Sequence, residues 1–161
     1  MAGHFTAHMQ IIQDTISKTS DKMKLLLTIT ALLEGVTGLI LAVTPSLLVS
    51  ILLGTALTDP GAIIIGRLAG AALITIAVAC WLSRKDTQSS VMAKAMLGYN
   101  IFSLTLMVYA VLVARIAGPG LWPAIIVHFG LLVWCFSALK KHIQEQHSTL
   151  QNREASLINR T

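Results

Sequence analysis

Charge is scarce in this sequence. Only 12% of its 161 residues are charged while 55% are hydrophobic, and mean hydropathy is +0.74. An ordinary soluble domain carries about 25% charged residues, so a water-soluble globule is excluded. Catalytic signatures are lacking too: there is no Ser/His/Asp set within reach, no phosphate-cradling Walker loop and no histidine-rich metal spacing. Enzymatic activity by this chain alone is therefore not expected. The two cysteines, Cys80 and Cys135, show no C-x-x-C spacing. Each lies toward the same end of its apolar segment, which suits two small core residues on a reducing side, with a redox or metal pair as the rival reading. No small-residue cleavage site follows the first apolar run, and 24 mixed polar residues precede it, so that run is not read as a signal peptide.

What is present is length in apolar runs. Segments 25–43, 61–82, 95–114 and 121–139 each approach the ~20 residues that carry a helix across a bilayer. The expected fold is all-α, a polytopic membrane protein with a four-helix transmembrane domain over 25–139. The net charge of +5 follows this layout. Lys18, Lys22 and Lys24 precede the first segment, Arg84, Lys85 and Lys94 join the second to the third, and Lys140 and Lys141 follow the fourth, while the opposite loops hold only Asp59 and Arg115. By the positive-inside bias both termini and the middle loop are cytoplasmic. The basic excess thus points to anionic lipid headgroups and not to nucleic acid.

Three flanking elements are readable. Residues 1–24 place Phe5, Met9, Ile12, Ile16, Thr19 and Met23 at helical steps among polar neighbours, an amphipathic helix suited to the cytoplasmic headgroup layer or to a partner protein. His4, His8 and Met9 in that tail are read as incidental rather than as a metal site. Between the first two spans, Thr44 as a cap, Pro45 at the first helical position and Gly54 as a stop predict a short outer-surface helix at about 45–53, with Leu47, Leu48, Ile51 and Leu52 on one face. Gly118, Pro119, Gly120 and Pro123 predict a tight turn between the last two spans. Trp122 then sits at the outer interface, and Trp81 and Trp134 near the inner one. Residues 140–161 extend the fourth helix as a polar tail, with Ile143, Leu150 and Leu157 at seven-residue intervals. PGAIIIGR (60–67) and PAIIVH (123–128) echo each other at the starts of the second and fourth spans, as in parallel repeats.

Glu34 and Arg67 are the charges set deep inside apolar segments. Each costs ~2.5–3.5 kcal/mol at a bilayer centre unless it meets a partner or a wet cavity. Glu34 is nine residues from either end of its segment, ~13 Å from the outer edge, and Arg67 is six residues in, ~9 Å. Those depths permit an Arg–carboxylate pair. Asn100, with Ser103 on a face it shares with Met96 and Met107, and His128 complete the expected inward-facing polar set. Ala62, Gly66 and Gly70 form a small-residue stripe for close helix packing.

Three readings of the polar set stay open: internal glue, a pocket for a quinone, lipid or haem with His128 as ligand or hydrogen-bond partner, and proton- or cation-coupled transport by an oligomer. Glu34, Gly38-Leu39, Pro45, Gly54, Gly66-Arg67, Gly70 and Cys80-Trp81 resemble the pattern of small, uncharacterised four-helix bacterial membrane proteins of the broad DoxX-like grouping. The resemblance covers the first half of the chain. It implies an inner-membrane four-helix fold, sometimes beside quinone-linked redox enzymes, and supplies no catalytic residue. The expectation is a small accessory or scaffold subunit that meets membrane lipids and other subunits or further copies of itself.

Overall fold

The computed structural model describes the backbone of residues 2–85 and 89–158 and, within those, the side chains outside 2–16, 18, 19, 145, 149 and 152–158. All its regular elements are helices: α1 (Ala2–Val43), α2 (Pro45–Leu53), α3 (Pro60–Ser83), α4 (Ser89–Leu112) and α5 (Leu121–Ile158). Four contain stretches long and apolar enough to cross a membrane, Ser20–Val43, Pro60–Ser83, Ser89–Leu112 and Leu121–Ser148. The third begins six residues earlier than the apolar run alone indicates, because Ser89, Ser90 and Lys94 are polar yet continue the helix.

Residues 2–24 do not form a helix separate from the first membrane-length segment. Helix α1 runs from Ala2 to Val43 without a break, since neither glycine nor proline interrupts it between Gly3 and Gly35. Most of the amphipathic stripe, together with His4, His8 and Met9, lies outside the described side chains; Met23, its last member, is buried in the core. At the other end α5 continues past the bilayer-length segment to Ile158, although the Leu157 side chain is outside the described set.

The helices pack as two pairs, α1 with α3 and α4 with α5, and α1 also touches α5, whereas α3 and α4 barely meet. Glycine explains the contrast. A Cβ on Gly70 would come within 2.5 Å of the Ala42 nitrogen and 2.7 Å of the Gly38 oxygen, and one on Gly38 within 2.8 Å of the Gly70 oxygen. In lipid, helices associate through close van der Waals contact, and bare backbones give the closest. Gly66 serves differently, seating against Pro45 and Leu57. Ala62, the third residue of the stripe, is half-buried. Gly98 on α4 and Gly130 on α5 meet nothing within 4 Å, so that pair is held by larger side chains.

The apolar core sits toward the α1 N-terminal side, built from Met23, Leu26, Leu27, Met96, Leu131 and Leu139 with both cysteines. Cys80 and Cys135 are free and fully buried. Trp134 packs against this core, while Trp81 is exposed with the Arg84 guanidinium 3.2 Å above its ring. Such cation–π stacking holds a charge at an interface beside an amphipathic ring.

At the opposite end α2 ties the two pairs together. Pro45 begins it and Gly54 ends it in the left-handed region at φ 76, but Thr44 does not cap it: the Thr44 hydroxyl donates back to the Ile40 carbonyl at 3.1 Å. A helix end leaves carbonyls without partners, a serious cost where water is absent. Two of these, on Ile51 and Leu52, accept from the backbone N–H groups of Gly120 and Gly118 at 2.9 and 2.8 Å. A side chain on Gly118 would strike the Ile51 carbonyl, which is why the connecting loop needs glycine there. Leu47 and Ile51 face outward from α2 while Leu48 and Leu52 turn inward, so the expected single apolar face is split between exterior and bundle. Asp59 caps α3, its Oδ1 accepting from the Ala62 N–H at 2.9 Å.

Candidate functional site

Glu34 does not pair with Arg67. Among the described residues the one ion pair is Lys24–Asp21 at 3.4 Å, and Arg67 is exposed on the outside of the bundle. The depths allowed contact, but the helix faces forbid it. Gly66 and Gly70 turn their side of α3 to Pro45 and α1, and Arg67 stands about 100° around the helix from Gly66. Glu34 stands about 40° around α1 from Gly38, the residue that meets α3. It is turned toward α4.

There it meets a residue that the sequence reading overlooked. The Tyr99 hydroxyl donates to Glu34 Oε2 at 3.0 Å, and Glu34 is only 4% exposed. The signal was available: Tyr99 is three residues after Met96 and four before Ser103, on the face already assigned inward, and it lies mid-span rather than in the headgroup belt where membrane tyrosines concentrate. Its ring in turn meets the His128 ring edge-on, with centroids 5.9 Å apart at 61°.

Asn100 and His128 do come together. His128 Nδ1 lies 2.9 Å from Asn100 Oδ1, and the Asn100 Nδ2 group donates to the Met96 carbonyl at 2.8 Å. Because the amide nitrogen is committed to Met96, the oxygen faces the histidine, and Nδ1 must carry the proton that is donated. In a neutral ring Nε2 then keeps its lone pair, free to accept a hydrogen bond or ligate a metal. Asn100 is completely buried and acts as the clamp that fixes ring orientation.

Thr30, one turn before Glu34 on α1, adds an unusual group: its buried Oγ1 has no hydrogen-bond partner among the described residues. Leaving a buried hydroxyl unsatisfied costs ~1–3 kcal/mol. Cys80 and Cys135 belong to the same buried core cluster. Among the described residues no group of three or more His, Cys, Asp and Glu side chains could hold a metal ion.

From Tyr99 the inner face of α4 climbs through Ser103 to Met107 and Ala110 at helical spacing. Leu106, Met107 and Ala110 form one wall of a shallow, open apolar groove of about 260 Å³, bordered also by Val49, Leu52 and Leu53 of α2 and by Leu121. Polar centre and apolar groove therefore share one helix face. The echo between 60–67 and 123–128 does not extend to side-chain direction, since Arg67 points outward and His128 inward. No family model, curated protein or solved structure matches the chain.

Proposed function

We propose that this protein binds one lipid-like ligand with a hydrogen-bonding head, of the quinone class, in its membrane interior. The observation that carries the reading is Glu34 hydrogen-bonded to Tyr99 instead of neutralised by Arg67. A carboxyl kept in an apolar bundle without a cation is expensive, and such residues mark sites of binding or proton exchange. Tyr99, the His128 Nε2 and the unpartnered Thr30 hydroxyl supply complementary donors and acceptors for a ring carrying oxygens. The groove beside Met107 accepts part of an isoprenoid or acyl chain. Haem is the weaker candidate, because His128 offers a single axial ligand.

The setting in this proposal is the bacterial inner membrane, with both termini cytoplasmic, in keeping with the lysine and arginine placement and with the DoxX-like resemblance. A role as accessory subunit of a larger assembly is favoured by the lengths of α1 and α5. At 42 and 38 residues they are ~63 and ~57 Å long against a ~30 Å hydrocarbon core. Both surplus segments, including the basic stretch from Lys140, leave the bundle on one side, where headgroups and partner subunits are met.

The test is extraction and mass spectrometry of ligands retained in mild detergent, followed by titration of delipidated protein with a short-chain quinone read through Trp134 fluorescence. Tyr99→Phe and His128→Ala each weaken binding about five- to tenfold, the worth of one buried hydrogen bond. Wild-type protein that retains no quinone and does not respond to the titration sinks the proposal. A Soret absorbance lost in His128→Ala assigns the site to haem instead.

A further inference from the structure

Arg67, released from the role of internal partner, is a charged side chain on the exterior of a membrane-length helix with no ion pair among the described residues. Its exposed neighbours are Ile64, Ile65 and Leu68, each about two-thirds open, so this surface of α3 is apolar around one cation. Such a face is turned to lipid, where a guanidinium must find an anion or water.

Position on the helix decides which. Arg67 is seven residues from the start of α3 at Pro60, ~10 Å along the axis. The whole helix of 24 residues spans ~36 Å, so roughly 3 Å overhangs each side of a ~30 Å hydrocarbon layer. The Arg67 backbone then lies ~7 Å below the nearer headgroup boundary, within the stretch an arginine stem covers when it snorkels. Direction agrees with depth. Helical Cα–Cβ bonds tilt toward the N-terminus, which for α3 is the nearer surface, so the side chain leaves the backbone already aimed at the headgroups. The same residue placed at equal depth in α4, whose C-terminus is at that surface, would start out pointing the other way.

We infer that Arg67 holds the phosphate of an anionic phospholipid in the leaflet that meets the α2 end of the bundle. The guanidinium fork matches phosphate oxygens bidentately, and the flanking Ile64 and Leu68 lie against the acyl chains below. The site is separate from the Glu34–Tyr99 centre and does not depend on it.

The experiment is native mass spectrometry of the full chain released from nanodiscs of phosphatidylcholine doped with phosphatidylglycerol, comparing wild type, Arg67→Gln and Arg67→Lys. Arg67 makes no hydrogen bond or ion pair within the described chain, so the glutamine variant should fold, and unchanged thermal melting checks this. Wild type retains one more tightly held phosphatidylglycerol than Arg67→Gln, the lysine variant keeps it in part, and millimolar inorganic phosphate does not displace it. Equal retention by wild type and Arg67→Gln overturns the inference. Displacement by inorganic phosphate overturns it in favour of a soluble anion, and a dimer that only Arg67→Gln dissociates overturns it in favour of a partner's carboxylate.

Discussion

Replacing Tyr99 by Phe removes the hydroxyl that meets Glu34 Oε2 at 3.0 Å and leaves ring size and the contact with His128 in place. The bond is interhelical, joining α1 to α4, two helices that otherwise touch little. In a soluble core a hydrogen bond to a charged group is worth ~1.5–3 kcal/mol. Within a bilayer the unfolded reference state also finds partners, and measured values average ~0.6 and reach ~1.7 kcal/mol. We therefore expect Tyr99→Phe and Glu34→Leu, which removes the acceptor, to show a coupling energy of roughly 0.6–1.7 kcal/mol in a double-mutant cycle. The assay is reversible unfolding in mixed micelles, followed by far-ultraviolet circular dichroism. A parallel cycle between Glu34→Leu and Arg67→Gln is the control, with coupling near zero because no contact joins them. Substantial Glu34–Arg67 coupling together with none for Glu34–Tyr99 would refute the whole description of the site.

Two further outcomes follow from backbone geometry. Gly70→Ala pushes a Cβ to 2.5 Å from the Ala42 nitrogen and should cost ~1–3 kcal/mol in the same unfolding assay, whereas Gly98→Ala meets nothing within 4 Å and should be neutral or mildly stabilising. Arg115 holds φ at 57 between the end of α4 and the α5 loop, so Arg115→Gly should raise stability by ~0.5–1 kcal/mol, seen as a higher denaturation midpoint.

The α2 end of the bundle shows how far local signals reach. Pro45 and Gly54 announce the start and stop of α2, and both act as read, because proline fixes φ and glycine tolerates the left-handed region whatever surrounds them. Thr44 was legible only as a capping type. Its hydroxyl had two backbone groups within reach, and the turn at the end of α1 offered the Ile40 carbonyl first. Asp59 was noted for its charge alone, yet it caps α3. Along α1, the sequence marks where the apolar run begins but carries no stop signal, so the expected headgroup helix and the first membrane-length segment are one continuous helix.

Composition and hydropathy alone determined that this chain is helical and has four segments able to cross a membrane, since burying unpaired backbone in lipid leaves few alternatives. Axial position along each helix was determined as well, because rise per residue is constant. Azimuth was not. Which side of α1 meets α3 depends on where two backbones can approach, and the answer, set by Gly38 against Gly70, turns Arg67 outward and leaves Glu34 to Tyr99. Two charges at compatible depths looked like partners in one dimension. Helix rotation, decided only when the glycine faces dock, made one of them an exposed cation on the outside of the bundle and the other the centre of a buried polar site.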